Sequence, residues 1–247
     1  MSHIIHQLAF YLHVTVGGFA LIIFWLPMIA KKGSPNHVKY GRYFANGMYA
    51  VAISGFIMTT LVLIDPIGVR EPLRNLSVET ANQMAFQNRL FSSFLFMLSL
   101  LVFNSVHLSL RSLAAKADRN LLKTPGLVGG FVFQLLCALI VGAVGTIYNQ
   151  VLFQIFAGLC IANGIGNLRY IFKTSIKPRE WLIVHLGSIL GAGIGAYTAF
   201  FVFGGSRLFS LFVSSNGQVV LWVIPGVVGT IGSIYLSKKY KAKYKVA

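Results

Sequence analysis

Seven apolar runs, each about 20 residues long, govern what this chain can fold into: about 8–30, 44–65, 89–112, 127–147, 150–172, 181–204 and 219–237. A helix of about 20 residues crosses the roughly 30 Å hydrocarbon core of a bilayer. In lipid only helices and closed barrels satisfy every backbone polar group, and barrel strands are about half that long. The expected fold is therefore all-α: a polytopic membrane protein with seven transmembrane helices in a single domain over 1–247. The remainder supplies tails and short connections, with no room for a separate soluble domain. Composition agrees, with 56% hydrophobic and 11% charged residues. A soluble domain carries about 25% charged residues, and disorder needs low hydrophobicity with high charge density.

Charge gives the expected topology. Basic residues follow run 1 (Lys31, Lys32, Lys39, Arg42), run 3 (Arg111, Lys116, Arg119, Lys123), run 5 (Arg169, Lys173, Lys177, Arg179) and run 7 (Lys238, Lys239, Lys241, Lys243, Lys245). The other ends carry only Arg70, Arg74, Arg89 and Arg207. The positive-inside rule then puts the N-terminus outside and the C-terminus, with a basic tail over 238–247, in the cytoplasm. The net charge of +16 is accordingly read as topogenic, suited to anionic lipids at the cytoplasmic face and not to nucleic acid. A membrane-protein partner or a homo-oligomer is open to it. The opening Met1-Ser-His-Ile-Ile-His lacks a basic n-region, so run 1 is expected to be retained. The longest loop, about 66–88, is expected outside, and a tight polar turn at Tyr148-Asn149-Gln150 between runs 4 and 5.

Small residues read as packing features. Gly187, Gly191 and Gly195 form a stripe on run 6, and Gly226, Gly229 and Gly232 a similar face on run 7 after Pro225. Cys137 and Cys160, near the middle of their runs, read as apolar fillers. Ionisable and amide groups at bilayer depth are the default functional candidates. His13 lies in the outer part of run 1; His107, late in run 3, and His185, early in run 6, lie toward the cytoplasm. Asn104 shares a face with His107, and Asn163 and Asn167 are four apart on run 5. A layer of His37, His107 and His185 with the three Asn around them suits an axial haem b pair or, with three imidazoles, a divalent metal such as Zn²⁺. Cross-helix hydrogen bonding of each His is the plainer alternative. No H-x-x-H, H-x-x-x-H or H-E-x-x-H spacing occurs.

The connection after run 1 reads Lys32-Gly33-Ser34-Pro35-Asn36-His37-Val38-Lys39-Tyr40-Gly41-Arg42. Gly33 and Pro35 suit a turn, and His37 with Arg42 suits an anion such as a haem propionate. With Trp181-x3-His185 and Tyr197-Thr198-Ala199-Phe200 in run 6, this block resembles a family of bacterial multi-pass membrane proteins, a domain of unknown function. Its members carry K-G-G-x-x-H-x-x-x-G-R after a first helix that begins with His, and W-x3-H followed by T-A-F. Ser34 stands where that pattern has its second Gly. The resemblance implies that His13, His37, Arg42 and His185 belong to the family pattern, with His107 outside it. His37-x3-Gly41 is also faintly similar to the opening of small haem-binding membrane cytochromes.

Several chemistries are set aside. No Lys or Arg occurs between Leu208 and Ser237, so a retinal Schiff base has no lysine in the last run. Asp65 is at a helix end and no other acid lies within a span, which disfavours carboxylate relays and two-carboxylate catalysis. Neither G-x-x-x-x-G-K-[ST] nor G-x-S-x-G occurs. The leading expectation is a haem- or metal-binding redox or electron-transfer protein. A small-solute or lipid transporter comes next, then a zinc-dependent membrane hydrolase or an assembly subunit of a membrane complex.

Overall fold

The computed structural model describes residues 1–70, 75–204 and 218–246. Glu71, Arg74 and Arg207 lie outside them. The described residues form α1 (Ser2–Ile29), α2 (Pro35–Ile64), a short α3 (Pro66–Val69), α4 (Val78–Ala115), α5 (Pro125–Ile147), α6 (Val151–Phe172), α7 (Glu180–Ala199) and α8 (Gln218–Tyr244). A 3-10 turn, Arg119–Leu122, precedes α5, and a π-helical turn, Phe200–Gly204, follows α7. No strand occurs among the described residues.

Six of the described helices are long and apolar enough to cross a bilayer: α1, α2, α4, α5, α6 and α7 with its π turn. The chain is thus an α-helical, multi-pass membrane protein by helix length and apolarity. The seventh run, 219–237, falls within α8, which over its described residues is not among the six. Several helices outrun their apolar runs because local capping continues them into water. α2 starts at Pro35, where the Ser34 hydroxyl accepts from the His37 N–H and proline occupies the first helical position. α4 starts at Val78, with Ser77 Oγ accepting from the Thr80 N–H, so the long loop shrinks to the stretch before it. The basic tail is helical as far as Tyr244.

The chain divides into two compact units, and α4, α5 and α6 contribute residues to each. The first unit comprises 1–103 and 133–164. In it α1 and α2 form a hairpin in which Gly47 lets the two helices close, a Cβ there standing 3.5 Å from that of Ala20. Phe94 of α4 stacks on Phe153 of α6, with ring centroids 4.8 Å apart, and meets Phe156 edge-on. The polar turn appears where the sequence suggests: Asn149 takes a left-handed φ of 53° and the Gln150 N–H closes on Gly145 O at 2.7 Å. It folds α5 and α6 antiparallel, and Gly142, Gly145 and Gly164 sit where a Cβ would press on Ala157, Phe153 and Leu135.

The second unit comprises 104–132 and 165–247. Its core gathers Leu108, Leu122, Leu127, Phe131 and Ile171, all almost fully buried. α7 packs on α8, where a Cβ on Gly229 would collide with Ile194. Among the described residues, a Cβ at Gly187, Gly191, Gly226 or Gly232 would meet open space. Periodicity marks a face, but a close approach needs a partner helix opposite it.

Candidate functional site

The carbonyls that end α1 organise the first block. The last turn of a helix leaves carbonyls without N–H partners. Lys32 Nζ donates to Pro27 O and Met28 O, both at 2.8 Å, and His37 Nδ1 lies 2.9 Å from Pro27 O. Gly33, with φ +80°, turns the chain between them. Partial burial lowers the Lys32 ammonium below its ordinary value. A carbonyl only accepts, so His37 donates to it from Nδ1. The Lys-Gly-x-x-x-His pattern is thereby a clasp on the end of α1. Arg42 is exposed on α2, five positions from His37 and so about 140° away around the helix. The helix does not direct the two at one anion.

His13 of α1 reaches α2, its Nδ1 3.0 Å from Ser54 Oγ. That hydroxyl is itself 2.7 Å from Ala50 O and 3.0 Å from Val51 O. The His13–Ser54 bond ties α1 to α2. Gly55 makes room beside it, since a Cβ there would stand 2.5 Å from Ser99 Oγ of α4. His3 repeats the pattern near the N-terminus, with Nδ1 2.8 Å from Val69 O. Asn163 is also in this unit, where Gln134 Nε2 reaches its Oδ1 at 3.3 Å and donates to Cys160 O at 3.0 Å.

In the second unit Asn104 of α4 donates to Gly130 O of α5 at 2.9 Å, across a glycine whose Cβ would fall 2.6 Å from the amide oxygen. His185 of α7 places Nδ1 2.8 Å from Ser109 Oγ, and the same hydroxyl lies 3.1 Å from His185 O. Ser105, Ser109 and Ser112 make a buried small-residue stripe along α4. His107 lies two residues before Ser109, about 200° around the helix, and so not on the face that meets His185. The bond to Ser109 ties α7 to α4. His107 and Asn167 are half-buried in this unit. Among the described residues no three His, Cys, Asp or Glu are grouped to hold a metal ion, so the metal set His37, His107 and His185 is not gathered. Cys160 is buried, Cys137 half-buried, and both are free thiols.

Sequence reading passes over two residues that matter here. Gln134 is fully buried, and the signal was available: it is the one amide within α5. Ser109 gives no such signal, because serine is ordinary in membrane helices and only its partner marks it.

Compared with known protein families, characterised proteins and solved structures, the chain matches none.

Proposed function

We propose that this chain is a seven-helix protein of the bacterial inner membrane, N-terminus outside and basic tail in the cytoplasm, that binds haem b for redox or electron-transfer work. The reading rests on one observation: His13, His37 and His185 each turn Nδ1 to a backbone carbonyl or a serine hydroxyl. An Nδ1–H bond to a carbonyl or hydroxyl orients the ring and selects the tautomer that ligates through Nε2, the usual arrangement of a haem or metal imidazole. These three are also the histidines of the family pattern described above. Asn104, Asn163 and Asn167 then serve packing around the polar layer, and Arg42 a propionate or an anionic lipid. The seventh span is α8, since 219–237 has the length and apolarity required.

The test is the absorption spectrum of the detergent-purified protein, oxidised and then reduced with dithionite. A Soret band that sharpens on reduction and is lost or shifted in His13→Ala, His37→Ala or His185→Ala supports the reading. A folded, colourless protein that also fails to take up added haemin overturns it. Small-solute transport is then the next reading, favoured by a cleft of about 400 Å³ lined by Asp65, Asn82 and Arg89 in the first unit. Solute flux in proteoliposomes tests that.

A further inference from the structure

We propose that Arg119, with Tyr170, forms a receptor for a phosphate-type oxyanion in the second unit. Arg119 sits in the 3-10 turn before α5 and is 7% exposed. Its guanidinium carbon lies 4.2 Å from the centre of the Tyr170 ring, and Nη1 donates to Tyr170 Oη at 2.9 Å. The other edge is unanswered: Nε and Nη2 are covered and have no hydrogen-bond partner. That edge is the two-donor fork with which arginine grips carboxylates and phosphates. A buried charge with two unmet N–H groups is among the costliest things a protein interior holds. Among the described residues none offers it an acceptor. Glu180, the acid whose charge reaches Arg119, is taken up by Lys173 Nζ at 2.9 and 3.0 Å and by the Lys177 N–H at 2.8 Å.

The donor set selects the ligand class. Nε–H and Nη2–H present two donors in one plane, and Tyr170 Oη, accepting from Nη1 on the other edge, holds the guanidinium in place. A planar two-donor fork takes two oxygens of one oxyanion, and a phosphate, which carries more charge than a carboxylate, gains more in a basic field. The surrounding field agrees, since the second unit carries fourteen Lys and Arg against two acids, Asp118 and Glu180. Because the fork is covered, the anion enters only with a shift of its cover. Ile176, in the connection 173–179, packs on the cluster that contains Tyr170 and Leu122. The phosphate belongs either to an anionic lipid headgroup or to a free phosphate.

The experiment measures the thermal unfolding midpoint of the full chain in nanodiscs at constant ionic strength. One arm titrates inorganic phosphate into phosphatidylcholine discs. The other raises the phosphatidylglycerol fraction without added phosphate. A saturable rise in the first arm identifies a free phosphate, and in the second a lipid headgroup; either supports the proposal if Arg119→Lys, which keeps the charge and loses the fork, weakens half-saturation by about tenfold or more. Tyr170→Phe keeps the ring under the guanidinium and is expected to weaken it severalfold, and it decides the matter if Arg119→Lys does not fold. Lys239→Gln, in the basic tail, leaves the response unchanged. No rise in either arm overturns the proposal. So does a rise that both variants retain in full, which would be diffuse attraction to the basic surface.

Discussion

Replacing Gln134 separates what polar bonding and what volume contribute to the α5–α6 contact. Its side chain is 0% exposed and spans to α6, donating to Cys160 O at 3.0 Å and reaching Asn163 Oδ1 at 3.3 Å. Hydrogen bonds between membrane helices are worth about 0.6 kcal/mol on average and up to about 1.7, because the separated helices find other partners. The Cys160 carbonyl also accepts its own intrahelical bond, so losing Gln134 does not orphan it. Gln134→Met, nearly the same size, should therefore cost about 1 kcal/mol. Gln134→Ala empties a covered site opposite Gly164, which has no side chain to fill the gap, and should cost about 2–4 kcal/mol. Reversible unfolding in mixed micelles, driven by a rising fraction of denaturing detergent and followed by circular dichroism, gives both values. If Met proved as damaging as Ala, the amide's bonds and not its volume would hold the helices, and the reasoning would fail. If neither variant lost stability, the contact itself would be absent.

Other consequences can be tested the same way. Ser34→Ala removes the cap of α2 and should cost about 1 kcal/mol, whereas Ser34→Gly, which restores the glycine of the related pattern, should cost only a few tenths; micelle unfolding distinguishes them. Gly55→Ala puts a methyl 2.5 Å from Ser99 Oγ and should destabilise, with Ser99→Ala restoring most of the loss, a coupling read from the double-mutant cycle. Burial lowers the Lys32 pKa below its ordinary 10.5, so the unfolded chain binds more protons in that window. Stability should then gain from Lys32 as pH rises from its folded pKa toward 10.5, and Lys32→Gln should flatten that rise in alkaline unfolding curves. A reporter fused after Val246 should be active in the cytoplasm; activity only on the outer side would reverse the topology drawn from charge.

The apolar runs and the basic clusters carry their information one residue at a time. Burying a chain segment in lipid depends on its own length and hydrophobicity, and orientation on the lysines and arginines flanking it. That is why the helices, the turn at Asn149 and the membrane class were legible from the amino acids alone. Helix ends were less so, since capping by Ser34 and Ser77 extends α2 and α4 past their apolar runs. The candidate site was legible as a set of residue types and not as an arrangement. A histidine in a run announces that it needs a partner, but the partner is a matter of helix rotation and neighbours. Folding gave His185 to Ser109, His37 to the end of α1 and His13 to Ser54. It also buried Arg119, which as a sequence feature is one more topogenic charge, and left half of its guanidinium unanswered. Polar pairing and close glycine contacts are relations between helices distant in the chain, so only the tertiary structure could decide them.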